Sequence, residues 1–225
     1  MERSNSLLGL GRRTGDDRDR KRHDGVFALV LVNLLFYVAD HILGLGFMKS
    51  LYLTLDNPSW YQYFTSMFCH GGWMHLSGNM FFLYLFGKII EEEEGLIGVL
   101  VCYLVTGLGA NLISVLFMSG GAALGASGAV FGLFVVSVLI KLKWSARSIV
   151  EALILGQFVV MQLISEAKSL GANDGIGHLA HVGGALTGAA LVFGVARVMR
   201  ARNAGKSSAG APEPKPGANE LKVRG

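Results

Sequence analysis

The chain is short of charge. Asp, Glu, Lys and Arg make up 16% of its 225 residues, against about a quarter in an ordinary soluble domain. That deficit excludes a protein whose whole surface faces water, and a hydrophobic content of 52% points to lipid as the solvent. Cysteine is nearly missing too. Cys69 and Cys102 are the two in the chain; a single pair builds no disulfide framework, no CxxC is present, and both read as buried free thiols. No HExxH occurs, and apart from Cys69 no carboxylate or thiolate stands in ligand spacing with the histidines, so no metal centre is expected. The net charge of +4 does not imply nucleic acid, because the basic residues sit in the tails and in short loops between apolar runs.

Glycine and long apolar runs are what the chain has in quantity. Glycine numbers 31, and membrane helices use it to bring backbones close. Six apolar stretches run roughly over 26–47, 73–90, 96–118, 127–142, 148–167 and 177–198, near the ~20 residues a spanning helix needs. The fourth is the shortest and begins in a Gly-rich loop. The chain therefore divides into a polar basic tail (1–24), an all-α membrane domain of six helices (25–200) and a disordered C-terminal tail rich in Ser, Gly and Pro (201–225). The N-terminal tail lacks the apolar core of a secretory signal. It reads as a solvated tail or as the stub of an organellar targeting segment, and Asp16, Asp17, Asp19 and Asp24 weaken the second reading. With six spans, 18 of the 20 Lys and Arg residues fall on the side of the termini, leaving Lys49 and Lys168 opposite. The positive-inside rule thus supports both termini on the cytosol-like side.

Polar groups in a bilayer are costly unless they pair or serve a function. Three clusters stand out: Cys69 through Asn79 at the entry to span two, Gly125-Ala126-Ser127-Gly128 at the entry to span four, and His178 through Gly184 at the entry to span six. Even-numbered spans all start from the outer side, so these clusters share one depth. A hydroxyl, imidazoles and a carboxamide in one layer suit acyl transfer.

Ser127 lies between glycines at a loop-to-helix junction, where free N–H groups and a positive dipole end await an anion. The same position suits a plain N-cap. His181 is the partner of choice, since a serine hydroxyl needs a base and neutral imidazole serves near pH 7. Gly184 and Gly188 offer a small face on span six to match Gly128 and Gly132 on span four, which would bring imidazole to hydroxyl. A helix-capping histidine is the alternative, and His178, one turn nearer the surface, is the rival base. His75 and Asn79, spaced i, i+4, share a helix face and could donate to an oxyanion together with the Ser127 amide, or merely bond two helices together. His70 stands just above them, toward the loop or a substrate.

These residues resemble a known signature. His70-x4-His75-x3-Asn79, Gly125-x-Ser127-Gly128 and His181-x-Gly-Gly-x3-Gly188 look like the three motifs of rhomboid intramembrane serine proteases, and the resemblance covers residues 25–200. It implies a six-helix bundle and a Ser/His dyad of Ser127 and His181, without cofactor or metal. It implies an oxyanion and substrate-binding site at His75, Asn79 and Gly125, and structural support from Gly128, Gly184 and Gly188. It also implies that Glu91 braces the first loop. Phe131 stands one turn after Ser127, where many relatives carry tyrosine against the catalytic imidazole; phenyl keeps the stacking surface. The Trp-Arg pair common in the first loop of many rhomboids is absent, and Trp60-Tyr61-Gln62 leaves that loop's anchoring open. Phe81 through Lys88, Glu91 through Glu94 and Gly125 through Leu133 are similar to plant and algal plastid rhomboids, which implies a chloroplast envelope. The expected partners are transmembrane protein substrates in the lipid bilayer, with span five, around Gly156 to Leu163, as their gate. The competing expectations are a catalytically silent rhomboid-like protein that binds or escorts membrane helices, and a small transporter, which would need charge deep in the spans.

Overall fold

The computed structural model describes residues 23–141 and 177–209, with side chains as far as residue 201, and the single helical positions Val150, Ile154, Gln157 and Met161. The fifth apolar stretch, with its expected gate, otherwise lies outside the described residues, as do most of the two tails.

Helix α1 (Asp24–Tyr37) continues into a π-helical turn (Val38–Ile42), and Gly44 at φ 61° ends it by turning the chain. A short helix α2 (Gln62–Thr65) lies in the first loop. Helix α3 (Trp73–Phe117) has 45 residues, which unbroken would extend about 68 Å, more than twice the ~30 Å hydrocarbon core. Gly95 breaks it, at φ 78° and ψ −179°, a conformation open to glycine alone. The chain folds back there: a methyl at Gly87 would lie 3.5 Å from Val99 Cγ2, whereas a straight helix would hold the two positions about 18 Å apart. The limbs 73–94 and 96–117 are therefore antiparallel and correspond to the second and third apolar stretches. Helix α4 (Ser127–Lys141) is short. Helix α5 (His178–Ala209) runs beyond the expected end of span six; Ala201, Ala204 and Ala209 favour helix where composition predicts a disordered tail.

The molecule is thus an all-α membrane bundle. Leu83, Phe86 and Ile90 of the first limb meet Val99, Cys102 and Tyr103 of the second, Leu133 and Phe134 of α4, Val192 of α5 and Val26 of α1 in one core. Large apolar side chains such as Phe27, Phe81, Leu116 and Phe193 point outward, as they do on a surface solvated by lipid. Lipid removes the hydrophobic drive between helices, so close packing and polar contacts must hold them. Cys69 and Cys102 are both buried free thiols.

Glu91 corrects an expectation. Rather than bracing the first loop, it lies at the opposite end of the bundle. Its Oε1 accepts the Gly25 N–H at 2.8 Å and its Oε2 the Val26 N–H at 2.9 Å. A buried carboxylate thereby satisfies two orphan donors of α1 and faces the positive end of its dipole. The neighbouring glutamates fan out from the same turn, Glu92 to His23 and Glu93 to Lys141. Glu91→Ala is expected to destabilise the bundle by about 1–3 kcal/mol, since it leaves buried donors unpaired. Glu91→Gln keeps one acceptor and should cost less. Thermal unfolding in detergent micelles checks both.

Candidate active site

Three helix starts meet at the first-loop end of the bundle: Trp73 of α3, Ser127 of α4 and His178 of α5. The first loop forms the rim. Its strand β1 (Leu53–Thr54) pairs antiparallel with strand β2 (Ala122–Ala123), tying it to the segment that leads into Ser127. Gln62 anchors the loop where the Trp-Arg pair is missing. Its Oε1 accepts the Thr54 hydroxyl at 2.7 Å and the Ser59 N–H at 3.0 Å, and its Nε2 donates to the Ser50 carbonyl at 3.0 Å. Trp60 points outward. The loop is also held from below: Asn111 Nδ2 donates to the Tyr63 carbonyl at 2.8 Å and Tyr103 Oη to the Met67 carbonyl at 2.9 Å. At its other side the Tyr52 hydroxyl donates to Asp40 on the π-helical turn. Burial and that carboxylate push the Tyr52 phenol well above its ordinary range. Burial, with Asp40 nearby, likewise raises the Cys69 thiol to about 12, so it stays protonated and unreactive. The motifs missed these anchors. Asn111, a carboxamide inside an apolar run, is the one whose polarity alone could have flagged it.

Helices α4 and α5 touch backbone to backbone. A methyl at Gly184 would collide with the Gly128 carbonyl oxygen, and one at Gly188 would lie 2.6 Å from that of Gly132. Where they meet, the His181 ring stacks on Phe131, centroids 4.4 Å apart and planes 5° from parallel. Phe131 is one turn after Ser127, on the same face of α4, so the stack sets the His181 imidazole beside the start of α4. His178 meets His181 edge-on at 6.3 Å, one turn further toward the loop. Both histidines are buried.

His75 approaches the segment that leads into Ser127 from α3. Its ring covers Gly125: a methyl there would lie 2.6 Å from Cε1 and 2.7 Å from Nε2, and Gly125 also holds φ at 123°, so two constraints require glycine. The Gly71 N–H points at His75 Nδ1 from 3.4 Å, which leaves the ring proton on Nε2, the nitrogen beside Gly125. Asn79 lies one turn further along; its amide donates one N–H to the His75 carbonyl at 2.9 Å and has a second to give. His70 is fully buried. Its Nε2 accepts the Ala126 N–H at 3.4 Å, and its ring packs edge-on against His75 at 5.1 Å. Burial, with His75 adjacent, lowers the His70 pKa to about 4. Among the described residues no group of three or more His, Cys, Asp or Glu could hold a metal ion.

Together the fold and this end of it define an integral membrane helix bundle with a serine and histidines gathered where three helices begin. A rhomboid domain model matches residues 57–198. The chain is 48% identical over 187 residues to rhomboid-like protein 11, chloroplastic, of Arabidopsis thaliana, a match covering 78% of this chain and 67% of that protein. It is 32% identical over 137 residues to the mitochondrial rhomboid-like protein 6 of the same plant (61% and 44% covered). Against rhomboid-like protease 5 of Toxoplasma gondii it is 29% identical over 132 residues (59% and 16% covered). It spans less than half the length of these last two relatives. The chain belongs to the rhomboid family.

Proposed function

We propose that the chain is an intramembrane serine endopeptidase that cleaves transmembrane segments of other proteins, with Ser127 as nucleophile and His181 as general base. The observation that carries this reading is the His181–Phe131 stack, fixed by the glycine contact between α4 and α5, which lays an imidazole on the residue one helical turn after Ser127. Ser127 Oγ attacks the scissile carbonyl while His181 takes its proton. The resulting oxyanion is met by His75, by the remaining N–H of Asn79 and by the Ser127 amide at the positive end of α4. Collapse breaks the C–N bond, His181 returns the proton to the leaving amine, and water hydrolyses the acyl-enzyme by the same route. A substrate helix must first unwind, because an intact helix keeps its carbonyls in hydrogen bonds; small or helix-weakening residues should therefore mark the cut. The name of the Arabidopsis relative at 48% identity supports a chloroplast membrane, and that of the Toxoplasma relative supports proteolysis.

The test is to incubate purified protein in liposomes with a helical membrane substrate, and separately with a fluorophosphonate probe. Two cleavage products and a covalent adduct on Ser127 are expected. Cleavage with Ser127 unlabelled would remove the serine mechanism. An intact substrate that stays bound would replace it with the escort reading.

A further inference from the structure

His70, like His178, is an imidazole at this end of the bundle to which the dyad and the oxyanion donors give no task. It is completely buried, and burial lowers its pKa to about 4, so the ring is neutral at physiological pH. Its Nε2 takes the Ala126 N–H, which places the ring proton on Nδ1. The Phe68 backbone lies near the ring, yet among the described residues no acceptor meets Nδ1 in hydrogen-bonding geometry. A phenyl or leucyl side chain would fill such a site without burying a poorly matched N–H. A histidine here implies that its other nitrogen matters.

What Nε2 holds is the Gly125–Ala126 peptide, the one immediately before the nucleophile's own amide. Gly125, at φ 123°, is the freest point of the segment, and two hydrogen bonds bracket it. The Gly125 N–H donates to the Ser66 carbonyl at 3.0 Å, and the Ala126 N–H goes to His70. Both acceptors belong to the stretch 66–70, which Tyr103 and Asn111 tie to α3. Without the second bond, the Gly125–Ala126 peptide can tilt at glycine between the Gly125 N–H bond before it and the bond from the Val130 N–H to the Ala126 carbonyl after it. The Ser127 hydroxyl and amide, which follow directly, would lose their fixed direction.

We propose that His70 is a positioning residue: by accepting the Ala126 N–H it locks the Gly125–Ala126 peptide and so orients the Ser127 hydroxyl and amide toward base and oxyanion. The proposal rests on the serine-protease reading for its effect on rate. The hydrogen bond itself stands apart from that reading and is measured separately.

Two variants of the full chain separate the outcomes. His70→Leu removes the acceptor; His70→Gln places Oε1 close to where Nε2 stood. In His70→Leu, kcat should fall about 10- to 100-fold, as expected when a reacting group is misplaced by about an ångström, with KM little changed. His70→Gln should recover most of that loss. In protein labelled with 15N-alanine, the Ala126 amide should exchange with D2O faster in the leucine variant and at the wild-type rate in the glutamine variant. Wild-type kcat in His70→Leu overturns the proposal. So does loss of rate in both variants with Ala126 exchange unchanged, since His70 would then act elsewhere. Should His70→Leu fail to fold, His70→Gln decides: slow exchange with near-normal kcat supports the role, and fast exchange with normal kcat sinks it. If Ser127→Ala still cleaves, the protease reading falls, while Ala126 exchange still reports whether His70 holds the loop.

Discussion

Alanine at His181 is expected to lower kcat by at least about 10⁴-fold, and alanine at Ser127 by as much. The two losses should not multiply. Removing either member of a nucleophile–base unit abolishes its action, so the double variant should be no slower than the worse single one. The discriminating comparison is His178→Ala. His178 lies in the same layer and is equally buried, and spacing alone leaves it a rival base. It meets His181 edge-on at 6.3 Å, whereas His181 lies flat on Phe131, the residue one turn beyond Ser127. His178→Ala should therefore keep most of the wild-type rate. Initial rates of cleavage in liposomes, with binding of the intact substrate measured in parallel, check all four proteins. Loss of activity in His178→Ala with activity kept in His181→Ala would reverse the assignment of the base.

The apolar runs made the helices legible because a bilayer demands about 20 apolar residues for each crossing; both limbs of α3 and α4 follow them closely, while α5 starts with its run and outlasts it. The turn at Gly95 was visible only as a gap between two runs; no sequence rule shows that the limbs join through one residue at φ 78°. The candidate site was legible through polar residues at helix starts. What escaped were partners distant in sequence. Glu91 reads as a loop brace by family likeness, yet the hairpin at Gly95 carries it to the far end, 66 residues from the Gly25 amide it caps. Gln62 reads as a poor substitute for a missing pair, yet its carboxamide joins Ser50, Thr54 and Ser59. Pairings of this kind depend on tertiary closure, which periodicity does not encode. His70 reads as facing loop or substrate, and its full burial decides for the loop.

Glycines along α5 should rank in sensitivity by what stands opposite each of them. A methyl at Gly184 collides with the carbonyl oxygen of Gly128. That obstacle is backbone and cannot rotate away, so the two helices must part. Overpacking of this kind costs at the top of the ~1–3 kcal/mol range. Parting α4 from α5 also pulls His181 off Phe131, and a shift of about an ångström between reacting groups is worth about 10²-fold in rate. Gly184→Ala should thus lose both stability and activity, and Gly184→Val should leave no measurable cleavage. At Gly188 the methyl would lie 2.6 Å from the Gly132 carbonyl, a milder conflict and one turn further from the imidazole. Gly188→Ala should lose stability with a smaller fall in rate. At Gly183 the neighbours are side-chain atoms of Ile113 at 3.0 Å, which can give way. Nothing lies within 4 Å of a methyl at Gly194, and alanine favours helix over glycine by about 1 kcal/mol, so Gly194→Ala should match or exceed the wild-type melting temperature at full activity. Melting temperatures and kcat across the series test the ranking. A Gly184→Ala protein as stable and as fast as wild type would mean that α4 and α5 do not touch, and the imidazole would then have no fixed place beside the serine.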